Sequence, residues 1–207
     1  MTPTTPPRPT RDDREALIVD SATQHFALQG FEGASLDRIA EGAGMSRHRL
    51  FYYFPSKEAL YLRVLDDIVS QWLDNMVALS AADDPQQGLR TYIEAKMRHS
   101  MEHPYGSRVY ARELLSGASR YREVIVERVG PVLQHDLATL QKWAAQGRIA
   151  AVDFTHLMFV LWSATQAYAD AAPQYALLLG KPALEAADFD AAAALITQMV
   201  LELLQPR

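Results

Sequence analysis

The 207-residue sequence predicts an all-α protein of about nine helices, and three observations carry the prediction. Apolar residues recur at three- and four-residue intervals through most of the chain. No segment shows the strict alternation of a half-buried strand. Ser, Gly and Pro stand where helices need to begin or end.

The elements follow in order. Residues 1–10, MTPTTPPRPT, are rich in Pro and Thr and are expected to form a disordered arm. From Arg11 the residues Ala16, Leu17, Val19, Ala22, Phe26 and Ala27 mark one face of a helix that Gly30 should stop. Ser35 should cap a short helix with Leu36, Ile39, Ala40 and Ala43 on its apolar side, and Gly42 and Gly44 frame the turn after it. Ser46 caps a second short helix ending near Tyr53, because Pro55 disfavours helix at Phe54. A longer helix starts at Ser56 and closes at the polar break AADDP. Helices are then expected over about 86–102, 105–115 and 119–146, the last kinked at Gly130-Pro131 and stopped by Gly147. The run from Asp153 to Gly180 reads as helix interrupted at Pro173, and a final helix spans about 188–204. This divides the chain into an arm (1–10), a helix-turn-helix domain (11–56) and a larger helical domain (57–207).

Composition bounds what such a protein does. With 49% apolar and 22% charged residues it can pack a core. The absence of cysteine excludes disulfides, thiolate metal sites and cysteine nucleophiles, and agrees with a reducing cytoplasm. The first residues lack the apolar core of a signal peptide, and no run reaches the roughly 18 apolar residues of a membrane span. A soluble cytoplasmic protein with no membrane partner is expected. The net charge of −5 argues against a nucleic-acid partner until its distribution is read. Residues 1–63 balance eight Lys/Arg against eight Asp/Glu, and residues 46–63 hold four basic residues against one acidic residue, Glu58. One basic face on an acidic protein suits a polyanion at one end.

The sequence AEGAGMSRHRLFYYFPSKEAL sharpens this. Arg47, His48 and Arg49 directly follow the predicted N-cap Ser46, where the helix dipole and free N–H groups favour acids instead. The cost, a few tenths of a kcal/mol per cation, is tolerable if a polyanion meets the helix start. A helix, a glycine turn and a short helix with exposed basic side chains make a helix-turn-helix, whose second helix aims its first residues at base edges. Arg47 and Arg49 suit bidentate bonds to guanine, and His48 suits a base edge. Tyr52, Tyr53 and Lys57 stand where phosphate contacts would fix the register, and Leu50, Phe51 and Phe54 read as core contacts. A merely solvated charged face is the competing reading, and the helix pattern with its turn glycines weighs against it.

The residues that carry this reading also carry a resemblance. Phe31-x-Gly33-x-Ser35-Leu36-x-x-Ile39-Ala40, then Ala43-Gly44-Met45-Ser46, then Leu50-Phe51-Tyr52-Tyr53-Phe54-Pro55-Ser56-Lys57-Glu58-Ala59-Leu60 resemble the DNA-binding domain of TetR-type repressors. The family's usual pattern has a small residue near His48 or Arg49, where this chain carries bulky ones. The resemblance implies a homodimer on a palindromic double-stranded operator, with Ser35, Arg38 and Ser46 joining the residues above at the DNA, and a larger domain that binds a small-molecule effector.

In the larger domain, Trp162, Gln166 and Asp170 follow at four-residue intervals and share a helix face with Met158. An indole beside an amide and a carboxylate suits a small planar polar ligand, stacked on the ring and hydrogen-bonded at its edge. Core or interface packing of Trp162 is the competing reading, and plain core packing that of Trp72. Trp72-Leu73, Glu113-x-Leu115-x-Gly117-Ala118 and Trp162-x-x-Thr165-Gln166-x-Tyr168-Ala169-Asp170 resemble pyrimidine-utilisation regulators of the same family. That resemblance implies a flat effector such as uracil or thymine held by Trp72, Trp162 and Gln166; a hydrophobic or aromatic compound is the alternative. The terminal run AAAALITQMVLELL is too apolar for a lone surface helix, so the last two long helices are expected either in the core or pairing with their copies in a dimer.

Enzyme chemistries find little support, and no cofactor or metal is expected. Gly42-x-Gly44 lacks the third glycine of a dinucleotide fingerprint, since Arg47 occupies its place, and no strand precedes it. Tyr92-x-x-x-Lys96 has the spacing of a dehydrogenase pair without a βαβ unit around it. Ser116-Gly117 lacks the flanking glycine of a nucleophile elbow. His99 and His103, one turn apart, would need a third ligand to hold a metal and read better as a satisfied pair.

Overall fold

The computed structural model describes residues 10–206; residues 1–9 and 207, which include nearly all of the expected arm, lie outside the described residues. Thr10, assigned to that arm, instead closes the first helix. Its hydroxyl accepts from the Asp13 N–H at 3.1 Å while the Asp13 carboxylate accepts from the Thr10 N–H at 2.8 Å. Those bonds hold the Asp13 carboxyl below its ordinary range.

Among the described residues every regular element is helical. The order is α1 (Arg11–Gly33), α2 (Leu36–Gly42), α3 (Arg47–Tyr53), α4 (Lys57–Ser80), α5 (Pro85–Glu102), α6 (Pro104–Leu115), α7 (Arg122–Val124), a π-helical turn (Ile125–Val129), α8 (Gly130–Ala145), α9 (Phe154–Asp170), α10 (Ala172–Leu178) and α11 (Ala186–Leu203). Because α7, the π turn and α8 run on without a break, the described residues form ten helical rods. The chain divides into two compact units between Asp66 and Asp67, within α4.

The first unit is built around α1. Ile18, Ala22 and Phe26 are fully buried on one face, as are Ile39 of α2, Leu50 of α3, and Leu60 and Val64 of α4, and α1 packs on α2. Phe26 and Phe31 both set their rings edge-on to Tyr61, at 4.9 and 5.0 Å. Gly30 adopts φ 73°, so the regular part of α1 ends there as expected, and three further residues make one more turn. Ser21 on α1 donates to the Ile39 carbonyl of α2 at 2.9 Å. Gly42 lets α2 approach, since a Cβ there would stand 2.4 Å from the Ser21 hydroxyl.

In the second unit α5 is the central rod and packs on α9 and α11. Its Leu89, Tyr92, Ile93 and Met97 are buried against Leu140 and Trp143 of α8, Met158 and Leu161 of α9, and Phe189 and Val200 of α11. Three boundaries differ from expectation. The helix expected from 119 starts at Arg122, because residues 116–121 form a turn in which Ala118 takes φ 54° and buried Glu113 accepts from the Arg120 N–H at 2.8 Å. Pro131 is accommodated by the π-helical turn just before it, which bonds the Gly130 N–H to the Ile125 carbonyl. The break in the 153–180 run falls at Ala171, so that Pro173 sits inside the first turn of α10, where its missing N–H costs nothing.

Candidate functional site

Two groups of side chains stand out, one in each unit. In the first, Ser46 caps α3 by accepting from the Arg49 N–H at 3.3 Å, and Gly44 turns the chain into it with φ 66°. Arg47, His48 and Arg49 are all exposed on the first turn, and no acid occupies that turn. Arg47 Nη1 pairs with Asp37 Oδ2 of α2 at 2.9 Å, and its guanidinium lies 5.5 Å from the Phe51 ring centre. Leu50 and Phe54 are buried as expected; Phe51 is not, being 38% exposed. The seven-residue helix has room for only Leu50 on its buried face, and Phe51 turns outward beneath Arg47.

The other residues assigned to DNA lie along α2, at the end of α3 and at the start of α4. Ser35 stands at the N-cap of α2, although its hydroxyl makes no capping bond, and Arg38 is exposed beside Glu41 at 3.5 Å. Tyr52 is 71% exposed and meets half-buried Tyr53 edge to face at 5.4 Å. The Lys57 ammonium donates to the Glu32 carbonyl at 3.0 Å and sits 5.1 Å over the Phe31 ring. Arg38, Arg47, His48 and Arg49 face solvent, as side chains that enter a groove must.

In the second unit Trp72 of α4, Trp162, Gln166 and Asp170 of α9 line one cleft of about 700 Å³. Tyr110, Leu114, Ile125, Val129 and Phe159 supply apolar walls. Each polar member is held. Trp162 Nε1 donates to the Tyr92 hydroxyl at 2.6 Å. Trp72 Nε1 donates to His99 Nε2 at 2.5 Å, and its ring meets Tyr110 edge-on at 4.4 Å. Asp170 Oδ1 accepts from Ser107 at 2.9 Å. Burial raises the Asp170 carboxyl above its ordinary range, against the lowering effect of Ser107, Gln166 and Arg108.

An inner shell of polar groups, which spacing alone does not assign to the cleft, stands against its indoles. Lys96 of α5 projects between the two indoles, its ammonium 5.4 Å from the Trp72 ring and 6.0 Å from the Trp162 ring. Desolvation lowers its pKa to about 8, partly offset by Asp136 of α8. Asp136 is 1% exposed, neither carboxylate oxygen has a hydrogen-bond partner, and desolvation raises it to about 7 against the pull of Lys96. Burial likewise raises the Tyr92 phenol, and raises Tyr110 to about 12. His99 is pushed down to about 4 by burial, by His103 and by Lys96, which keeps its Nε2 free to accept from Trp72. Among the described residues no three His, Cys, Asp or Glu side chains gather in a way that holds a metal. A signal for the inner shell existed: Tyr92, Lys96 and His99 fall on the same stripe of α5 as Leu89, Ile93 and Met97, and polar groups on an apolar stripe ask for partners.

The model described as bacterial regulatory proteins of the tetR family matches residues 18–64, and the YcdC-like protein C-terminal region matches residues 65–207. This chain belongs to the TetR family. It is 33% identical over 194 residues to the HTH-type transcriptional regulator RutR of Escherichia coli K12, covering 94% of this chain and 92% of that protein. It is 36% identical over 119 residues to the HTH-type transcriptional regulator EthR of Mycolicibacterium smegmatis, covering 56% of this chain and 54% of that one. The fold resembles the crystal structure of a TetR family transcription regulator from Marinobacter aquaeolei VT8, with a TM-score of 0.71 and 22% identity over 95% of this chain and 98% of that one. A TetR-like transcriptional regulator from Rhodococcus sp. RHA1 gives 0.70 and 24% over 93% and 96%. The TetR-family chain is thus a DNA-binding transcriptional regulator related to RutR, and its relatives are regulators and not enzymes. None of its described helices is long and apolar enough to cross a membrane.

Proposed function

We propose that this protein is a repressor released by its ligand: a homodimer whose paired α3 helices read a palindromic operator, and whose second unit binds a planar pyrimidine-type effector such as uracil or thymine. Arg47 and Arg49 read guanine edges and His48 a neighbouring base edge. Ser35, Arg38, Ser46, Tyr52, Tyr53 and Lys57 hold the phosphates. The dimer forms through α9 and α11, whose exposed Phe159, Val160, Leu195 and Met199 support an apolar interface.

The observation that carries the effector half is the convergence of Trp72, Trp162, Gln166 and Asp170 on one cleft, two indoles to stack a ring and an amide and a carboxyl to meet its edge. Because α4 carries Trp72 and runs unbroken back to Lys57, a ligand clamped by both indoles shifts the helix next to α3. Operator binding needs the two α3 helices about 34–36 Å apart, so a shift of a few ångströms breaks it. The coupling required is about 1–3 kcal/mol, and it is reciprocal: operator-bound protein binds the effector more weakly by the same factor.

Calorimetric titration with uracil and thymine tests the ligand. Micromolar binding to wild type that disappears in Trp162→Ala supports the reading, and equal effector affinity with and without operator overturns the release scheme. A larger aromatic effector is the second reading, favoured by a cleft of about 700 Å³ with largely apolar walls. Tight binding of such compounds with none of the pyrimidines would select it.

A further inference from the structure

Of the Tyr92-x-x-x-Lys96 pair, which has the spacing of a catalytic dyad, Lys96 lines the effector cleft, while Tyr92 is fully buried and holds the Trp162 indole. We propose that Lys96 is a specificity-determining residue of that cleft, donating to a carbonyl oxygen on a neutral planar ligand, and that Asp136 is its positioning residue, a counter-charge that offsets the ammonium when ionised. The inference rests on the effector reading above and deepens it from a ring shape to an edge chemistry.

Four observations lead there. The Lys96 ammonium borders the cleft with an indole on either side, so it stands beside the space a stacked ring would fill. No hydrogen bond occupies Asp136 behind it, although the carboxylate is almost wholly buried. An uncompensated charge of that kind is costly, and a neighbouring ammonium offsets the cost. Asp136 of α8 and Lys96 of α5 flank one shared apolar cluster, and the charge of each offsets part of the other's desolvation. Finally, Tyr92 already accepts the Trp162 N–H, which fixes the indole as a wall and leaves Lys96 as the cationic donor reaching the cleft from α5.

The chemistry of the ligand follows from the charge count. Lysine offers N–H donors and no acceptor, so its partner is an oxygen or a similar acceptor. With Asp136 ionised, the pair presents a donor without net charge. Asp170 lines the same cleft as Lys96 and bonds with Gln166, so that its carboxyl and the amide offer acceptors there. A neutral ring carrying a carbonyl toward Lys96 and an N–H toward Gln166 and Asp170 satisfies both. This describes a cyclic imide or ureide; an anionic ring of the same outline meets Asp170 with the wrong sign.

The test uses the full-length protein, with uracil as the neutral probe and barbituric acid, a planar pyrimidine that is anionic at neutral pH, as the charged one. Calorimetry should show wild type preferring uracil. Lys96→Met should weaken uracil about 10- to 100-fold, the range for a hydrogen bond to a charged group, and Lys96→Gln, which keeps a donor, should recover part of that loss. Asp136→Asn, the same shape without the charge, should move the uracil-to-barbiturate affinity ratio at least about tenfold toward the anion, a change that a purely structural role would not produce. Unfolding curves confirm that each variant is folded, and Lys96→Gln carries the test if Lys96→Met is not. Uracil binding that survives both Lys96 substitutions overturns the inference while leaving the effector cleft intact. A ratio unmoved by Asp136→Asn overturns the counter-charge role. A wild-type protein that binds neither probe overturns the pyrimidine reading and this inference with it.

Discussion

Arg47 of α3 and Asp37 of α2 form an ion pair, Nη1 to Oδ2 at 2.9 Å, so the first cation of the basic tip is tied to the first turn of the preceding helix. Both side chains are more than half exposed, and such a pair contributes less than about 1 kcal/mol to folding. Its significance lies in aim. Asp37 on one side and the Phe51 ring on the other restrict where the guanidinium points. Arg47→Ala should therefore leave unfolding stability nearly unchanged and cost about 1–3 kcal/mol of discrimination between operator and random DNA. Competition binding against an operator selected from a random-sequence library measures this. An unchanged ratio means that another residue of α3 does the reading.

Lys57 should behave differently. Its ammonium is tied to the Glu32 carbonyl and stacked on Phe31, at the junction where α1 ends and α4 begins. A phosphate contact from this position adds charge without sequence information. Lys57→Ala should weaken binding to all DNA sequences alike and reduce the slope of log K against log salt by about one. A loss confined to the operator would remove Lys57 from the phosphate set.

Much of this was legible in the sequence because it is local. Ser46 and Pro55 delimit α3, Gly44 supplies the left-handed turn before it, and the cations after Ser46 are out of place by the helix dipole alone. Trp162, Gln166 and Asp170 shared a face by spacing and do so in the cleft. What spacing could not supply was the pairing between distant helices. Asp136 and Lys96 lie on α8 and α5, and neither position marks the other. Phe51 departs from the core position expected of it because a seven-residue helix gives too little periodicity to separate its faces. The π turn ahead of Pro131 has no sequence signature beyond the proline.

His99 carries a prediction about acid. Its folded-state pKa is depressed from 6.5 to about 4 by burial, by His103 and by Lys96. A depressed value means stability that is present above pH 6.5 and lost as the pH falls through about 4. Protonation also removes the acceptor that Trp72 uses. Asp136, raised from 3.8 to about 7, works in the opposite sense over the same window, so the readout is a difference between proteins. The stability of wild type minus that of His99→Gln should fall by on the order of 3 kcal/mol between pH 6.5 and 4. Urea unfolding followed by tryptophan fluorescence gives both curves. A pH-independent difference would mean that His99 is not held neutral by its surroundings.

On α11, Leu195, Met199 and Leu203 follow at four-residue intervals and are each more than half exposed, and α9 exposes Phe159 and Val160. Such a stripe has no reason to face water on a monomer, whereas two copies of α9 and α11 can close it as a four-helix interface. Met199→Glu places a charge on the two-fold face, and each dimer would bury it twice. Sedimentation velocity should then show a monomer at concentrations where wild type is dimeric. Operator affinity should fall steeply, because two half-sites are bound as one event only while the protomers are joined. Effector binding should persist, since Met199 stands outside the residues that line the cleft. A Met199→Glu protein that remains dimeric would move the interface to another face, and one that loses effector binding as well would place the partner subunit at the cleft.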